Sequence, residues 1–196
     1  MTIEVTVATA AQQERVTAML VAAFAADPSL RWFFPGDDEY AAGAAELFSG
    51  LFERRLAFGS VWLAGEGAAA ALWEPPEDQR GAVDRAAASR LERSLHRVIG
   101  ADATARLAAY NRSVHDLLPP EPYWYLGVLG VDPARAGTGL ARAVMDAGRA
   151  RARADGVPAV LETTNAANVG YYERAGWRVI GSTREPVATW VLVDGP

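Results

Sequence analysis

Residues 124–155 read WYLGVLGV, then DPARAGTGLA, then RAVMDAGRARARAD, and the reading of these three pieces decides the fold. Trp124 to Val131 is mostly apolar and rich in β-branched and aromatic residues, the composition of a buried strand. Asp132-Pro133 ends it, because proline cannot donate to a sheet ladder and marks a turn. Gly137 and Gly139 then leave the backbone without Cβ atoms where a helix begins. Leu140, Ala143, Val144, Ala147 and Gly148 recur at helical spacing and predict one buried stripe. Arg142, Asp146, Arg149 and Arg153 fall mainly off that stripe and are expected in solvent. A strand, a glycine loop and a helix N-terminus bring unpaired amides and the positive end of a helix dipole to one point, which favours a phosphorylated ligand.

Outward from this unit, Gly156 stops the helix, and Pro158 to Glu162 predicts a strand parallel to the first, the crossover being right-handed. Asn165 or Asn168 starts a short helix that Gly176 ends in a left-handed conformation. Trp177 to Ser182 and Ala188 to Val193 predict a closing antiparallel pair. Upstream, Ile3 to Val7 alternates apolar and polar, a half-buried first strand. Thr9 caps a helix whose stripe is Val16, Leu20, Ala23 and Phe24, ending near Asp27-Pro28. LRWFFPGDDEY (residues 30–40) reads as a loop crowded with aromatics, serving either as core cover or as a binding wall. A helix follows over Tyr40 to Phe58 with Leu47, Leu51 and Leu56 inward. Val61 to Leu63 and Ala68 to Trp73 make a hairpin about Gly65-Glu66-Gly67. Polar helical stretches over Val83 to Ile99 and Ala103 to Leu118 lead to LPPEP, a stiff break before the central strand.

Composition narrows the chemistry. The 196 residues form one domain, residues 1–196, with hydrophobic residues at 51%, enough for a core without staples. Every one of the 19 basic residues is arginine, so there is neither Schiff-base lysine nor a G-x-x-x-x-G-K loop. Without cysteine there is no disulfide, no thiolate metal site and no thiol nucleophile. A net charge of −5 argues against nucleic-acid binding, although Arg135 to Arg153 holds five arginines against Asp146 alone. No signal-peptide pattern opens the chain and no apolar run of ~18 residues occurs, so a soluble, cytoplasmic protein without membrane contact is expected. His96 and His115 lack partner spacing for a metal or a triad. A dinucleotide fold is disfavoured because the third glycine of its fingerprint would fall at Arg142.

Two motifs carry a resemblance. VDPARAGTGLARAVM resembles the acetyl-CoA-binding motif V-x-P-x-x-[QR]-G-x-G-x-[GA] of the GNAT superfamily of N-acetyltransferases, and NAANVGYYERAGW resembles its second motif, N-x-x-[FY]-Y-E-x-x-G-[FW]. AAFAADPSLRWFFP, VWLAGEGAAAALWEPPE and EPYWYLGVLGV are similar to the branch that includes puromycin N-acetyltransferase. The resemblance implies the GNAT fold, an α/β (α+β) domain with helices on both faces of a twisted, mostly antiparallel sheet. Its fourth and fifth strands splay apart, and pantetheine lies in the gap against the backbone of Leu129 and Val131. The amides of Ala136, Gly137, Thr138, Gly139, Leu140 and Ala141 would wrap the pyrophosphate. Ala136 departs from the family's Gln or Arg, leaving Arg135 or Arg142 to supply charge or to be surface residues.

Each candidate side chain carries two readings. Tyr172 is the phenol that protonates the departing thiolate, as the resemblance implies, or a core tyrosine. Glu162 is a base for an ammonium substrate or a solvated strand-end carboxylate. Asn168 touches pantetheine or caps its helix. Asp27 recognises the amine or forms the turn before Pro28. Trp32, Phe33, Tyr123 and Trp124 are the expected substrate walls, suited to an aromatic or amphipathic acceptor. The expected reaction is transfer of acetyl from acetyl-CoA to a small-molecule amine, directly in a ternary complex and with no metal, by a monomer or homodimer. The alternative is a non-catalytic module of the same fold that binds an acyl-CoA or metabolite.

Overall fold

The computed structural model describes residues 3–76, 85–120 and 122–195. Seven strands form one sheet: β1 (Val5–Val7), β2 (Val61–Ala64), β3 (Ala69–Glu74), β4 (Trp124–Val131), β5 (Ala159–Thr163), β6 (Arg178–Thr183) and β7 (Thr189–Asp194). Their order is β1-β2-β3-β4-β5-β7-β6, and every pairing is antiparallel except β4 with β5. One face carries α1 (Gln13–Ala23), α2 (Pro28–Phe33), α3 (Asp37–Leu56) and α4 (Arg85–His115), built around Val16, Leu20, Phe34, Phe48 and Phe52. The other face carries α5 (Leu140–Ala154) and α6 (Ala166–Arg174) over Trp73, Leu126, Val144, Met145 and Leu161. No helix among the described residues is long and apolar enough to cross a membrane.

Local chemistry sets these elements. Asn165 is the N-cap of α6, its Oδ1 accepting from the Ala167 amide at 3.0 Å, while Gly176 takes φ 96° at its end. Gly148 lets α5 lie directly on Trp73, since a Cβ there would come within 2.2 Å of the indole. Gly130 admits α1 in the same way, a Cβ meeting Leu20 at 2.4 Å.

Two expectations are corrected. The aromatic segment after Asp27 is not a loop: Pro28 occupies the first turn of α2 and Asp27 caps it, so Trp32 and Phe33 are helical and Tyr40 lies on α3. Phe33, Phe34 and Tyr40 are buried in the core. The expected division of the polar helical region into two stretches holds, with Gly100 at φ 76° breaking α4 between them; the expected start at Val83 lies outside the described residues. Arg149, expected in solvent, is 5% exposed. The buried stripe of α5 runs through Leu140, Val144, Met145, Gly148, Arg149 and Ala152, rotated from the predicted one. Arg149 is tolerated there because its guanidinium is fully engaged. It donates to both oxygens of Asp194 on β7 at 2.7 and 2.8 Å and to Asp146 at 2.9 Å, and it lies over the Trp177 ring.

Candidate active site

The site starts from a fault in the sheet. β4 and β5 pair over three rungs only, Trp124 with Ala159, Tyr125 with Val160 and Leu126 with Leu161. The register of β4 against β3 slips at the same level, Leu126 facing Trp73 and Val128 facing Leu72, so Gly127 is an extra residue. A bulge bends and twists its strand, and past this one the edge of β4 from Gly127 to Val131 has no partner on the β5 side. The bulge also inverts side-chain parity. Trp124 and Leu126 face α5, whereas Val128 faces the opposite core.

A cavity of about 660 Å³ occupies the α1–α4 side of this opening and reaches between the strands to Asn168 and Tyr172 of α6. Glu162 and Tyr125 share its floor, because residues 160 and 162 of β5 and residues 123 and 125 of β4 point to the same face. The Tyr125 hydroxyl donates a short hydrogen bond to Glu162 Oε2. Enclosure raises the Glu162 pKa to about 7; the Tyr125 bond and a backbone amide pull it down, and the Asp27 and Glu74 carboxylates push it up. Burial and the charge of Glu162 in turn hold the Tyr125 phenol well above its ordinary value.

Asp27 also lines the cavity, but its carboxylate is occupied. Oδ1 accepts from the amides of Ser29 and Leu30 at 3.0 and 3.1 Å and from Ser29 Oγ at 2.5 Å, and Oδ2 accepts from Thr164 Oγ1 at 3.3 Å. Glu74, the third acid, receives Arg55 Nη2 at 2.5 Å.

Tyr172 packs edge-on against Tyr171 and Trp177, with ring centroids 5.3 and 6.2 Å away. It is 8% exposed, yet lines the cavity. Its pKa is raised first by burial, then by the Tyr171 phenol and the Glu162 and Asp27 carboxylates, so the hydroxyl is protonated at neutral pH. No hydrogen-bond partner for that hydroxyl exists among the described residues.

Beyond β4, Asp132 Oδ1 accepts from the Ala134 amide and Pro133–Arg135 makes one tight turn. Gly137 and Gly139 follow with φ of 76° and 85°, and α5 begins at Leu140. Its first intrahelical bond runs from the Ala143 amide to the Gly139 carbonyl, so the amides of Leu140, Ala141 and Arg142 precede the ladder. A Cβ on Gly137 would meet nothing within 4 Å. The loop is thus an exposed, open cradle of backbone whose shape requires positive φ. Thr138 Oγ1 bonds the Arg135 carbonyl at 2.6 Å, and Arg142 pairs with Asp146 at 2.7 Å.

Around this cavity lie Asp27, Phe33, Tyr123, Leu129, Glu162, Asn168 and Tyr172. Val131 and residues 136–142 are not among the described lining of the cavity; they lie at the end of β4, in the exposed loop after it and in the first turn of α5. Two anticipated wall residues are elsewhere. Trp32 packs on the helical core beside Phe33. Trp124 is buried on the opposite face against Trp62, its Nε1 donating to Asp155 at 2.9 Å. Tyr110 and Tyr125 are cavity residues that the sequence reading passed over. The parity that joins Tyr123 and Tyr125 to one face was available in the sequence; the approach of Tyr110 from α4 was not. Among the described residues no group of three or more acidic or histidine side chains is gathered to hold a metal ion.

Comparison with solved structures places this architecture. An acetyltransferase of Corynebacterium glutamicum, described as histone acetyltransferase HPA2 and related acetyltransferase, is 26% identical, with a TM-score of 0.73 over 100% of this chain and 97% of its own. The polyamine N-acetyltransferase of Drosophila melanogaster, which forms N-acetylagmatine, has a TM-score of 0.61 at 17% identity, covering 100% of both chains. The arylalkylamine N-acetyltransferase 2 of Aedes aegypti has a TM-score of 0.63 at 14% identity, covering 99% of both. The family model of the acetyltransferase (GNAT) family matches residues 11–177, a span from the first helix to the end of the second motif, and the chain belongs to that family.

Proposed function

We propose that the protein is an acetyl-CoA-dependent N-acetyltransferase acting on a small-molecule amine, and that the reaction takes place in the cavity at the β4–β5 opening. The observation that carries this reading is the pairing, within one cavity, of a carboxyl group titrating near neutrality with a phenol held protonated. Membership of an acetyltransferase family and the fold shared with enzymes named for polyamine and arylalkylamine substrates support the same reading.

The bound thioester would supply an activated acetyl carbon and a thiolate leaving group. The open edge of β4 at Leu129 and Val131 fits a pantetheine arm, and the amides of Gly137, Gly139, Leu140 and Ala141 fit its pyrophosphate at a helix N-terminus, while those of Ala136 and Thr138 donate at 3.4 Å to the Pro133 and Arg135 carbonyls and would have to turn outward to join them. Asn168 stands at the rim, free for this contact because Asn165 makes the helix cap. Arg142 is paired with Asp146, and Ala136 brings no charge, so amides and the helix dipole do most of the phosphate binding.

Glu162 accepts a proton from the incoming ammonium, giving the free amine needed for attack; with a pKa of about 7 it is a base at neutral pH without being fully ionised. Tyr125 fixes the carboxylate. Tyr172 gives its proton to the departing sulfur. Its raised pKa does not oppose this, because the enclosure that disfavours a phenolate equally disfavours a thiolate, whose ordinary pKa is near ~8.5. No cysteine is present to form an acetyl-enzyme, which fits direct transfer in a ternary complex.

A panel of amines, with released CoA followed by thiol detection and products identified by mass, tests the proposal. The expected result is amine-dependent release with formation of an N-acetyl product. Binding of acetyl-CoA with no release for any amine would instead indicate a non-catalytic acyl-CoA-binding module, the reading that Ala136 favours.

A further inference from the structure

We infer that Tyr110 is a substrate-binding residue: its phenol oxygen accepts a hydrogen bond from the ammonium group of the acceptor beside Glu162, and Thr189 is the positioning residue that turns that oxygen toward the amine. The inference rests on the acetyl-transfer reading and names a second contact for its acceptor. β3 and β4 are antiparallel neighbours with Glu74 opposite Tyr125, a pairing that a tight turn could close. The chain instead leaves β3 for α4, and beyond the break at Gly100 that helix lays Leu107, Tyr110, Asn111 and Val114 along the cavity. Arg106 fastens it there, Nε and Nη2 donating to the Phe33 carbonyl at 3.0 and 2.8 Å. One turn on, the Tyr110 ring meets Phe33 edge-on at 5.2 Å.

The far end of Tyr110 reaches the sheet beside Glu162. Its hydroxyl comes within hydrogen-bond reach of the buried Thr189 side chain on β7. Val191 pairs with Glu162, so Thr189, two residues along β7, shares that face. It is the diagonal neighbour of Glu162, a relation that separates Cβ atoms by roughly 7–8 Å. Counting protons sets the direction of the bond. Thr189 Oγ1 commits its single proton to the Val187 carbonyl at 2.8 Å, so toward Tyr110 it can only accept. Burial and the charge of Glu162 raise the Tyr110 pKa, which keeps the phenol proton in place for that bond. Tyr110 therefore turns lone pairs, not its proton, to the cavity it lines. Lone pairs beside a carboxylate suit a donor with more than one N–H. A primary ammonium gives one N–H to Glu162 and has another for Tyr110, whereas a tertiary ammonium has only the one.

The test titrates phenylethylamine and N,N-dimethylphenylethylamine calorimetrically, with CoA present, into the parent and into Tyr110→Phe, Thr189→Val and Thr189→Ser. CoA release from acetyl-CoA with phenylethylamine is followed alongside. Tyr110→Phe keeps the ring against Phe33 and is expected to bind phenylethylamine roughly tenfold more weakly, with KM raised to match. Its affinity for the dimethyl compound is expected to change by less than about twofold. Thr189→Val, which frees the Tyr110 proton, is expected to weaken phenylethylamine in the same selective way, and Thr189→Ser to restore it. Equal losses for the two amines, or no loss for the primary one, would overturn the inference and reduce Tyr110 to packing, while leaving acetyl transfer standing. Selective loss of binding with no CoA release by the parent would uphold the ammonium contact and overturn the transfer reading. Absence of binding by both amines would overturn both.

Discussion

At the scale of single residues, Glu162 links activity and stability with opposite signs. Its pKa is raised from 4.5 in a free chain to about 7 in the fold. Below 4.5 both states are protonated and the group is neutral in its effect. Between 4.5 and 7 the folded protein keeps a proton that the unfolded chain has lost, so stability falls as pH rises through this window and the full cost stands above 7. Glu162→Gln should therefore melt higher than the parent at pH 8, by on the order of 1–3 kcal/mol, with the difference closing near pH 4. The same substitution should lower kcat by about 10²-fold and abolish the acidic limb near pH 7 in the kcat/KM profile. Tyr125→Phe removes the bond that lowers the Glu162 pKa, so its limb should move to higher pH; an unmoved limb would reduce Tyr125 to packing. Tyr172→Phe keeps the ring and should keep the melting temperature and CoA affinity, while kcat falls by roughly 10²-fold. Glu162 and Tyr172 were legible in the sequence, one at a strand end and one inside a motif. Their raised pKa values were not, because enclosure depends on what α1 to α4 bring over the sheet.

At the scale of elements, the β4 strand, its turn and α5 were legible from apolar content, Asp132-Pro133 and the glycines. The bulge at Gly127 was not, since nothing in WYLGVLGV separates an inserted residue from a regular one until β3 is placed beside it. The loop makes a clean prediction. Ala at position 137 would meet no protein atom, so Gly137→Ala should cost only about 1 kcal/mol for the positive φ. Its loss of acetyl-CoA affinity, measured calorimetrically, should be several-fold beyond that, because the added methyl stands where the ligand would lie. On the far side of the same helix, Arg149 was misjudged by helical periodicity, which counts an arginine as polar without asking what faces it. Asp194 on β7 and Trp177 after α6 make the buried position satisfactory. Burial alone would raise the Asp194 pKa, but its bonds and charge contacts with Arg149 and Arg153 lower it from 3.8, so its contribution fades only as pH falls through the depressed value. Asp194→Ala should destabilise by about 3 kcal/mol, read by denaturant unfolding, since it strands a buried guanidinium.

At the scale of the whole molecule, two cores lie on opposite faces of one sheet, and the opening between β4 and β5 joins the side that holds the cavity to the side that carries α6. The order of elements and the single parallel pairing followed from the sequence, because turn residues and periodicity are local. Assembly of the cavity did not, because Phe33, Tyr110, Tyr125 and Glu162 come from four separate elements and meet only through the register of β4 on β5 and the course of α4. On the proposed reading each substrate has its own approach, the thioester along the open edge of β4 and the amine within the cavity, so that both would be present at once. The most direct measurement is the initial rate of CoA release with acetyl-CoA and an acceptor amine found in the panel both varied. Intersecting double-reciprocal lines, with no release when the amine is omitted, are predicted. Parallel lines, or release that proceeds without any amine, would contradict direct transfer at Glu162 and Tyr172.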